Sequence, residues 1–162
     1  MLHADAPHLA GHTAENLAAL VVSIAGGSVD EYTRIASKLR HVPEISAIEV
    51  NISCPNVESR GQVFACHPVS AAEVVSAVRR NTNPGIPVLA KLSPDVTDIV
   101  EIARSVVNAG ADGLSMINTL LGMVIDTDTM RPALAGVTGG LSGPAIRPVA
   151  VRCVYQVHAA LP

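Results

Sequence analysis

The chain has 162 residues, of which 49% are hydrophobic, 15% charged and only 2% aromatic, and its net charge is −3. The dispersed lysines and arginines give no electrostatic footprint for nucleic acid, and no apolar run approaches the roughly 20 residues needed to span a bilayer. Three cysteines without regular spacing argue against a disulfide framework and against a zinc site. They also indicate a reducing compartment, so we expect a cytoplasmic protein.

Strand and helix patterns alternate from residue 18 onward. The first unit is a buried strand over residues 18–25 and a helix over residues 28–40, which opens with a serine and a glutamate at capping-box spacing. The second unit has its strand over residues 45–52 and a helix that we expect to begin at Ser70, again with a capping-box pattern. The small and branched aliphatic residues fit a tightly packed parallel sheet covered by helices.

The third and fourth units continue the pattern. Strands are predicted over residues 88–92 and 113–117, with a helix over residues 97–108 between them. A long segment, residues 120–142, then leads to a last helix over residues 143–160.

This alternation predicts an α/β fold with a parallel sheet and right-handed crossovers. The connection lengths suit a (β/α) barrel or a doubly wound sheet. Because an eight-stranded barrel usually takes about 250 residues, we expect residues 1–162 to form one domain that is a partial barrel of about four βα units.

Polar side chains follow three of the predicted strands at the points where they end. The run Asn51–Val57 (NISCPNV) places a thiol, a hydroxyl and two carboxamides directly after the second strand, Lys91 lies at the end of the third, and Asn118 and Thr119 follow the fourth. Because the carboxyl ends of parallel strands meet at one edge, we expect these side chains to face one cavity. Carboxamides both donate and accept hydrogen bonds, which suits a planar substrate with imide and carboxylate groups.

Several of these residues have structural alternatives. Cys54 could be a small buried hydrophobe, and Lys91 could extend its ammonium group from an apolar strand to the surface. Gly139–Gly143 is either a flexible loop or a source of amide N–H groups for an anion at a helix N-terminus. We interpret Cys66 and Cys153 as structural, because nothing near them in the sequence would activate a thiol.

These motifs resemble the class 1 dihydroorotate dehydrogenases, and they are more similar to the NAD-linked 1B branch than to the fumarate-linked 1A branch. The resemblance extends from about Val21 onward and is carried by residues 49–57, 91–94, 95–103, 109–119 and 138–148. It implies an FMN-dependent enzyme on a (β/α)8 TIM barrel that oxidises (S)-dihydroorotate to orotate in de novo pyrimidine (UMP) biosynthesis.

The resemblance also implies roles for individual residues. Cys54 would be the base that removes a proton from substrate C5, while a hydride passes from C6 to flavin N5. The residues implied to hold the substrate are Asn51, Asn56, Asn118 and Thr119. The residues implied to bind FMN are Ser23, Asn51, Lys91, Ile117 and Gly143. Lys91 would stabilise the reduced, anionic flavin, and Ser23 stands where the family usually has an asparagine.

The resemblance implies partners as well, namely a second copy of the chain and an iron–sulfur, FAD-containing subunit that passes electrons to NAD. The family's N-terminal substrate-binding lysine and its last two strands, whose loops bind the FMN phosphate, have no counterpart among these 162 residues. We therefore expect the isolated chain to be inactive. Two alternatives remain open: a related flavin oxidoreductase acting on dihydropyrimidines, and a barrel fragment that only docks to partner chains.

Overall fold

The structure is a computed structural model that describes residues 19–53, 64 and 67–161. Its main sheet has four parallel strands in the order β1-β2-β3-β4. The strands are β1 (Leu20–Ile24), β2 (Ile45–Asn51), β3 (Val88–Leu92) and β4 (Gly113–Met116). Each lies within its predicted segment, so the parallel α/β sheet is confirmed.

Four α-helices pack side by side in the described part of the chain. They are α1 (Val29–Leu39), α2 (Pro68–Asn81), α3 (Ile99–Asn108) and α4 (Arg147–Ala160). Contacts run from α1 to α2, from α2 to α3 and from α3 to α4. A 3₁₀ turn, Pro144–Ile146, precedes α4, so the last predicted helix begins as a tighter turn.

One predicted helix start is confirmed and another is wrong. The Glu31 N–H donates to Ser28 Oγ (3.2 Å), and the Glu31 carboxylate accepts from the backbone N–H one residue before Ser28 (2.6 Å). These bonds satisfy amide groups near the start of α1 that the helix itself cannot satisfy. The predicted start of α2 at Ser70 is wrong, because the helix begins at Pro68 with His67 as an N-cap that makes no side-chain bond. Proline is favoured there because the first helical N–H groups have no intrahelical partner to lose.

Alternate residues of the strands line two different faces of the sheet. On one face, Ile48, Val50 and Ile52 are at most 1% exposed and pack with apolar residues of the helices in one core. The other face of β2 carries Glu49 and Asn51, which are half-buried. We call this second face the polar face, and its polar residues are Ser23, Glu49, Asn51, Lys91 and Ser115.

The core between the sheet and the helices is built from small and branched side chains, as predicted. Val74, Val75 and Val78 of α2 are fully buried, as is Val106 of α3. Cys153 of α4 is also fully buried and unpaired, which agrees with a structural role. The other structural cysteine of the sequence analysis lies outside the described residues.

Residues 120–142 contain strands that the sequence analysis did not predict. β5 (Leu120–Met123) pairs antiparallel with β8 (Thr138–Leu141), and β6 (Ile125–Asp126) pairs antiparallel with β7 (Arg131–Pro132). All four strands are short, and β5 and β8 contain glycines, so they lack the alternating pattern that identifies a strand. The flexible-loop interpretation is wrong for residues 139–141, because they belong to β8.

We expect Val74→Ala to lower the free energy of unfolding by about 2 kcal/mol, since it removes two buried carbons and leaves a cavity in the core. Val69→Ala is the matched control, because Val69 lies in the same helix and is 59% exposed. Its effect should stay within about 0.5 kcal/mol. Urea unfolding of the full-length protein measures both, and equal effects would contradict the core assignment.

Candidate active site

The polar face brings the ends of three strands together. Asn51, the last residue of β2, pairs in register with Lys91 of β3, which in turn pairs with Ser115 of β4. Beyond β4, the Asn118 N–H donates to the Leu92 carbonyl oxygen (2.9 Å) and continues the pairing past the end of the strand. Asn51, Lys91 and Asn118 therefore lie at one edge of the sheet.

A hydrogen-bonded network joins the ends of β2 and β4. Ser53 Oγ donates to Asn51 Oδ1 (2.9 Å) and accepts from Asn118 Nδ2 (2.8 Å), which also donates to the Ser53 carbonyl oxygen (3.1 Å). Asn118 Oδ1 accepts from the Thr119 N–H (2.8 Å). We refer to Asn51, Ser53, Asn118 and Thr119 as the Ser53 network. It brings together the three predicted substrate residues that the structure describes.

The backbone of Asn51 is also held from the helical side of the sheet. Tyr32 of α1 is 1% exposed, and its hydroxyl donates to the Asn51 carbonyl oxygen (2.8 Å). The tyrosine ring packs edge-on against Phe64, with 6.1 Å between the ring centroids. A buried tyrosine whose hydroxyl has a hydrogen-bond partner contributes both apolar packing and a directional hydrogen bond. The end of β2 is therefore fixed before the chain reaches Ser53.

Lys91 is paired with a carboxylate on the polar face. Its Nζ lies 3.4 Å from Glu49 Oε1, and the side chains of Lys91 and Glu49 are 28% and 15% exposed. The same oxygen accepts from Ser23 Oγ (2.8 Å), which joins β1 to the pair. The ammonium group of Lys91 is thus held beside a carboxylate on the sheet. It does not extend freely to the protein surface, which was the structural alternative for this lysine.

Glu49 stays ionised because its partners outweigh the effect of burial. Burial acts to raise the pKa of Glu49, but hydrogen bonds from Ser115 and Ser23 and the positive charge of Lys91 together hold the pKa below its ordinary value. All three partners stabilise the carboxylate form. The polar face therefore carries a charged pair and not two neutral groups.

The antiparallel pair of β5 and β8, which we call the β5–β8 ribbon, packs closely against Thr119. A Cβ atom at Gly140 of β8 would collide with the Thr119 side chain, so only glycine fits at that position. Ile117 is half-buried against the core and follows a cis peptide bond from Met116. Gly143 is exposed and has a φ of 85°, a conformation that favours glycine, at the start of the 3₁₀ turn.

Comparison with known proteins identifies the family. Residues 3–162 match the family model described as dihydroorotate dehydrogenase. The chain belongs to the dihydroorotate dehydrogenase family. It is similar to two proteins named dihydroorotate dehydrogenase B (NAD(+)), catalytic subunit: one from Desulforudis audaxviator (58% identity) and one from Geotalea daltonii (55% identity). Each alignment extends over 142 residues, which are 88% of this chain and 46% of the relative. The chain thus spans about half the length of these relatives.

A solved structure supports the fold assignment. The chain superposes with a TM-score of 0.68 on a crystal structure of DHODH from Eimeria tenella in complex with ferulenol, at 19% sequence identity, covering 91% of this chain and 44% of that one. At this sequence identity the match shows the fold alone, and that fold agrees with the predicted partial TIM barrel. Among residues 19–53, 64 and 67–161, no helix is long and apolar enough to cross a membrane, and no group of three potential ligand side chains could hold a metal ion.

The predicted site residues fall into three groups. Asn51, Lys91, Asn118 and Thr119 lie together at the strand ends, as described above. Ser23 lies on β1 and contacts the site through Glu49, so its contact with a flavin stays a prediction. Ile117, Gly143 and their proposed flavin contacts also stay predictions. Two predicted residues, the catalytic Cys54 and the substrate-binding Asn56, lie outside the described residues.

The sequence analysis did not identify Glu49 and Ser115 as parts of this site. Glu49 carried a signal, because a carboxylate in an otherwise apolar strand must have a partner if it is not exposed. Ser53 was noticed as polar, but a serine between two asparagines does not show which of its neighbours it will contact. Ser115 carried no signal, since a small hydroxyl is common in buried strands.

Replacing Glu49 by glutamine should reduce the acid sensitivity of the fold. The pKa of Glu49 is lowered from its ordinary value of 4.5, so the ionised carboxylate adds stability that is fully present above pH 4.5 and is lost as the pH falls through the lower folded value. The free energy of unfolding should therefore fall less steeply below pH 4.5 in Glu49→Gln than in the wild type.

Urea unfolding of the full-length protein from neutral pH down to about pH 3 measures this difference. Glu101→Gln is the control, because it removes a carboxylate from the exposed surface of α3. Identical pH profiles for the wild type and Glu49→Gln would contradict the ion pair.

Gly140→Ala should destabilise the protein by about 1–3 kcal/mol, because the added methyl group must displace Thr119 or the β5–β8 ribbon. Gly85→Ala is the matched control, since no described atom lies within 4 Å of the position its Cβ would take. Its effect should be within about 0.5 kcal/mol. Equal midpoints of thermal unfolding for the two variants would show that the ribbon does not pack on Thr119 as described.

Proposed function

We propose that the full-length protein oxidises dihydroorotate to orotate with bound FMN, in the de novo synthesis of pyrimidines. The observation that carries the proposal is the Ser53 network, which holds the carboxamides of Asn51 and Asn118 side by side. This network adjoins Cys54 in the sequence of a chain that belongs to the dihydroorotate dehydrogenase family. Amides, a thiol and a lysine at the carboxyl ends of barrel strands are suited to bind a polar ring and to move a proton from it.

The donors on the polar face fit a flavin. The residues that would hold FMN are Ser23, Asn51, Lys91, Ile117 and Gly143. Lys91 supplies a fixed positive charge, and a fixed charge in a partly buried site counts for more than one in water. When bound, FMN would supply the acceptor for the hydride that leaves substrate C6. The side chain of Lys91 would stabilise the negative charge that this transfer brings to the site.

Cys54 would remove the proton from substrate C5. A base acting on a carbon-bound hydrogen must be held at a short distance from it, and Ser53 and Pro55 on either side restrict how the thiol is presented. The substrate would be oriented by Asn51, Asn56, Asn118 and Thr119. Their amide and hydroxyl groups can match both the N–H and the carbonyl groups of a pyrimidine ring.

The proposal extends to partners. The relatives with 58% and 55% identity are named catalytic subunits of an NAD(+)-linked enzyme, and a catalytic subunit implies another subunit. We infer that this protein forms a homodimer and pairs with an iron–sulfur, FAD-containing subunit that passes electrons to NAD. Mixing the purified protein with such a subunit and dihydroorotate, and measuring NAD reduction, would test the pairing.

The test of the function is anaerobic mixing of the FMN-loaded, full-length protein with dihydroorotate. We expect the flavin absorbance to bleach, and Cys54→Ser to slow the bleaching by roughly 10²–10⁴-fold, the usual contribution of a general base. Cys153→Ala is the control, because it removes a buried thiol from the helical core. Dihydrouracil is the substrate control.

Two outcomes would contradict the proposal. Bleaching by dihydrouracil at a rate equal to or above that with dihydroorotate would favour a different dihydropyrimidine substrate. A near-normal rate in Cys54→Ser would remove the thiol from the reaction.

A further inference from the structure

The hydroxyl group of Ser53 contacts both carboxamides of the Ser53 network. It donates to Asn51 Oδ1 (2.9 Å) and accepts from Asn118 Nδ2 (2.8 Å). Ser53 is only 4% exposed, so water has little access to replace either contact.

These contacts fix which end of each amide is left for a ligand. A serine hydroxyl has one hydrogen to donate, and here it is given to Asn51 Oδ1. The Nδ2 group of Asn51 donates to no other residue in the described part of the chain, so it remains a donor. Asn118 is the reverse case: its Nδ2 donates twice to Ser53, while its Oδ1 accepts from the Thr119 N–H and from no other described residue. One lone pair of Asn118 Oδ1 is therefore left as an acceptor.

We propose that Ser53 is a positioning residue that sets the two amides in opposite senses, so that Asn51 presents a donor and Asn118 presents an acceptor to the ligand. The proposal rests on the proposed function, and it defines the chemistry of the ligand more closely. The ligand must place an oxygen acceptor against Asn51 and an N–H donor against Asn118. A pyrimidine ring with alternating carbonyl and N–H groups meets both requirements.

Loss of the hydroxyl should weaken ligand binding more than it weakens the fold. Without it, Asn51 Oδ1 loses its partner and that amide can rotate. Asn118 keeps its bonds to the Ser53 carbonyl oxygen and the Thr119 N–H, but it loses the contact that ties it to Asn51. The Asn51 amide is then no longer held in one orientation, while the pairing of the sheet strands is retained. Losing the alignment of one or two hydrogen bonds corresponds to about 10-fold weaker binding.

The experiment compares Ser53→Ala, Ser53→Thr and Ser105→Ala in the FMN-loaded, full-length protein. Ser53→Thr keeps a hydroxyl at the position. Ser105→Ala is the matched control, because it also removes a serine hydroxyl bonded within the protein, here to the Pro68 carbonyl oxygen (2.7 Å) in the helical layer. Calorimetry with orotate should give about 10-fold weaker binding for Ser53→Ala only. The KM for dihydroorotate should rise by a similar factor, while kcat changes less than about 3-fold.

A second readout does not depend on turnover or on orotate. The side-chain amide signals of Asn51 and Asn118 in nitrogen-15 NMR spectra of the ligand-free protein should shift or broaden in Ser53→Ala and stay near their wild-type positions in Ser53→Thr and Ser105→Ala. If Ser53→Ala does not fold, Ser53→Gly removes the same hydroxyl with less bulk and takes its place.

Three results would overturn the proposal. They are unchanged amide signals in Ser53→Ala, wild-type orotate affinity in that variant, and a folded Ser53→Thr that binds orotate as weakly as Ser53→Ala. Failure of the proposed function has a different signature. If the wild-type protein binds no orotate, the function is wrong, while the amide spectra still decide whether Ser53 orients the two asparagines.

Discussion

The parallel register between β2, β3 and β4 is the constraint on which the site depends. It pairs Asn51 with Lys91 and Lys91 with Ser115, and so places a carboxamide, a cation and a hydroxyl side by side. Because successive side chains in a strand point to opposite faces, a shift of one residue would turn Glu49 into the apolar core and expose Val50 in its place. The cost of burying an unpaired carboxylate excludes that alternative. The same register therefore builds the core on one face and the polar site on the other.

The polar face shows how a largely apolar chain keeps charged groups inside a sheet. Glu49 and Lys91 are both half-buried, and an isolated charge at either position would be unfavourable. Ser23 and Ser115 donate to the carboxylate from β1 and β4, so the partners of Glu49 come from the strands on both sides. A pair with this support can hold Lys91 in place without adding net charge to the sheet. A ligand that gains negative charge would then meet a positioned cation whose field is partly balanced by its own partner.

Much of the fold could be predicted because the main strands and helices carry strong local patterns. The segments over β1 to β4 are short apolar runs bounded by turns, and Ser28 with Glu31 marks a helix start correctly. The start of α2 was misplaced because Ser70 and Glu73 have capping-box spacing inside a helix that already begins at Pro68. The β5–β8 ribbon was missed because its strands are held by pairing with each other and by the contact of Gly140 with Thr119, which no local pattern encodes.

The site was predictable in its location and residue types but not in its connections. Strand ends and polar residues identified Asn51, Lys91, Asn118 and Thr119, since the parallel topology alone brings them to one edge. The direction of the hydrogen bonds in the network depends on the contact between Asn118 and Ser53, which are 65 residues apart in the sequence. That direction decides whether an amide offers a donor or an acceptor. Substrate choice in such a site therefore depends on the groups that hydrogen-bond to the contacting amides as much as on the amides themselves. An asparagine whose amide is not held by a fixed partner can bind either a donor or an acceptor of the ligand.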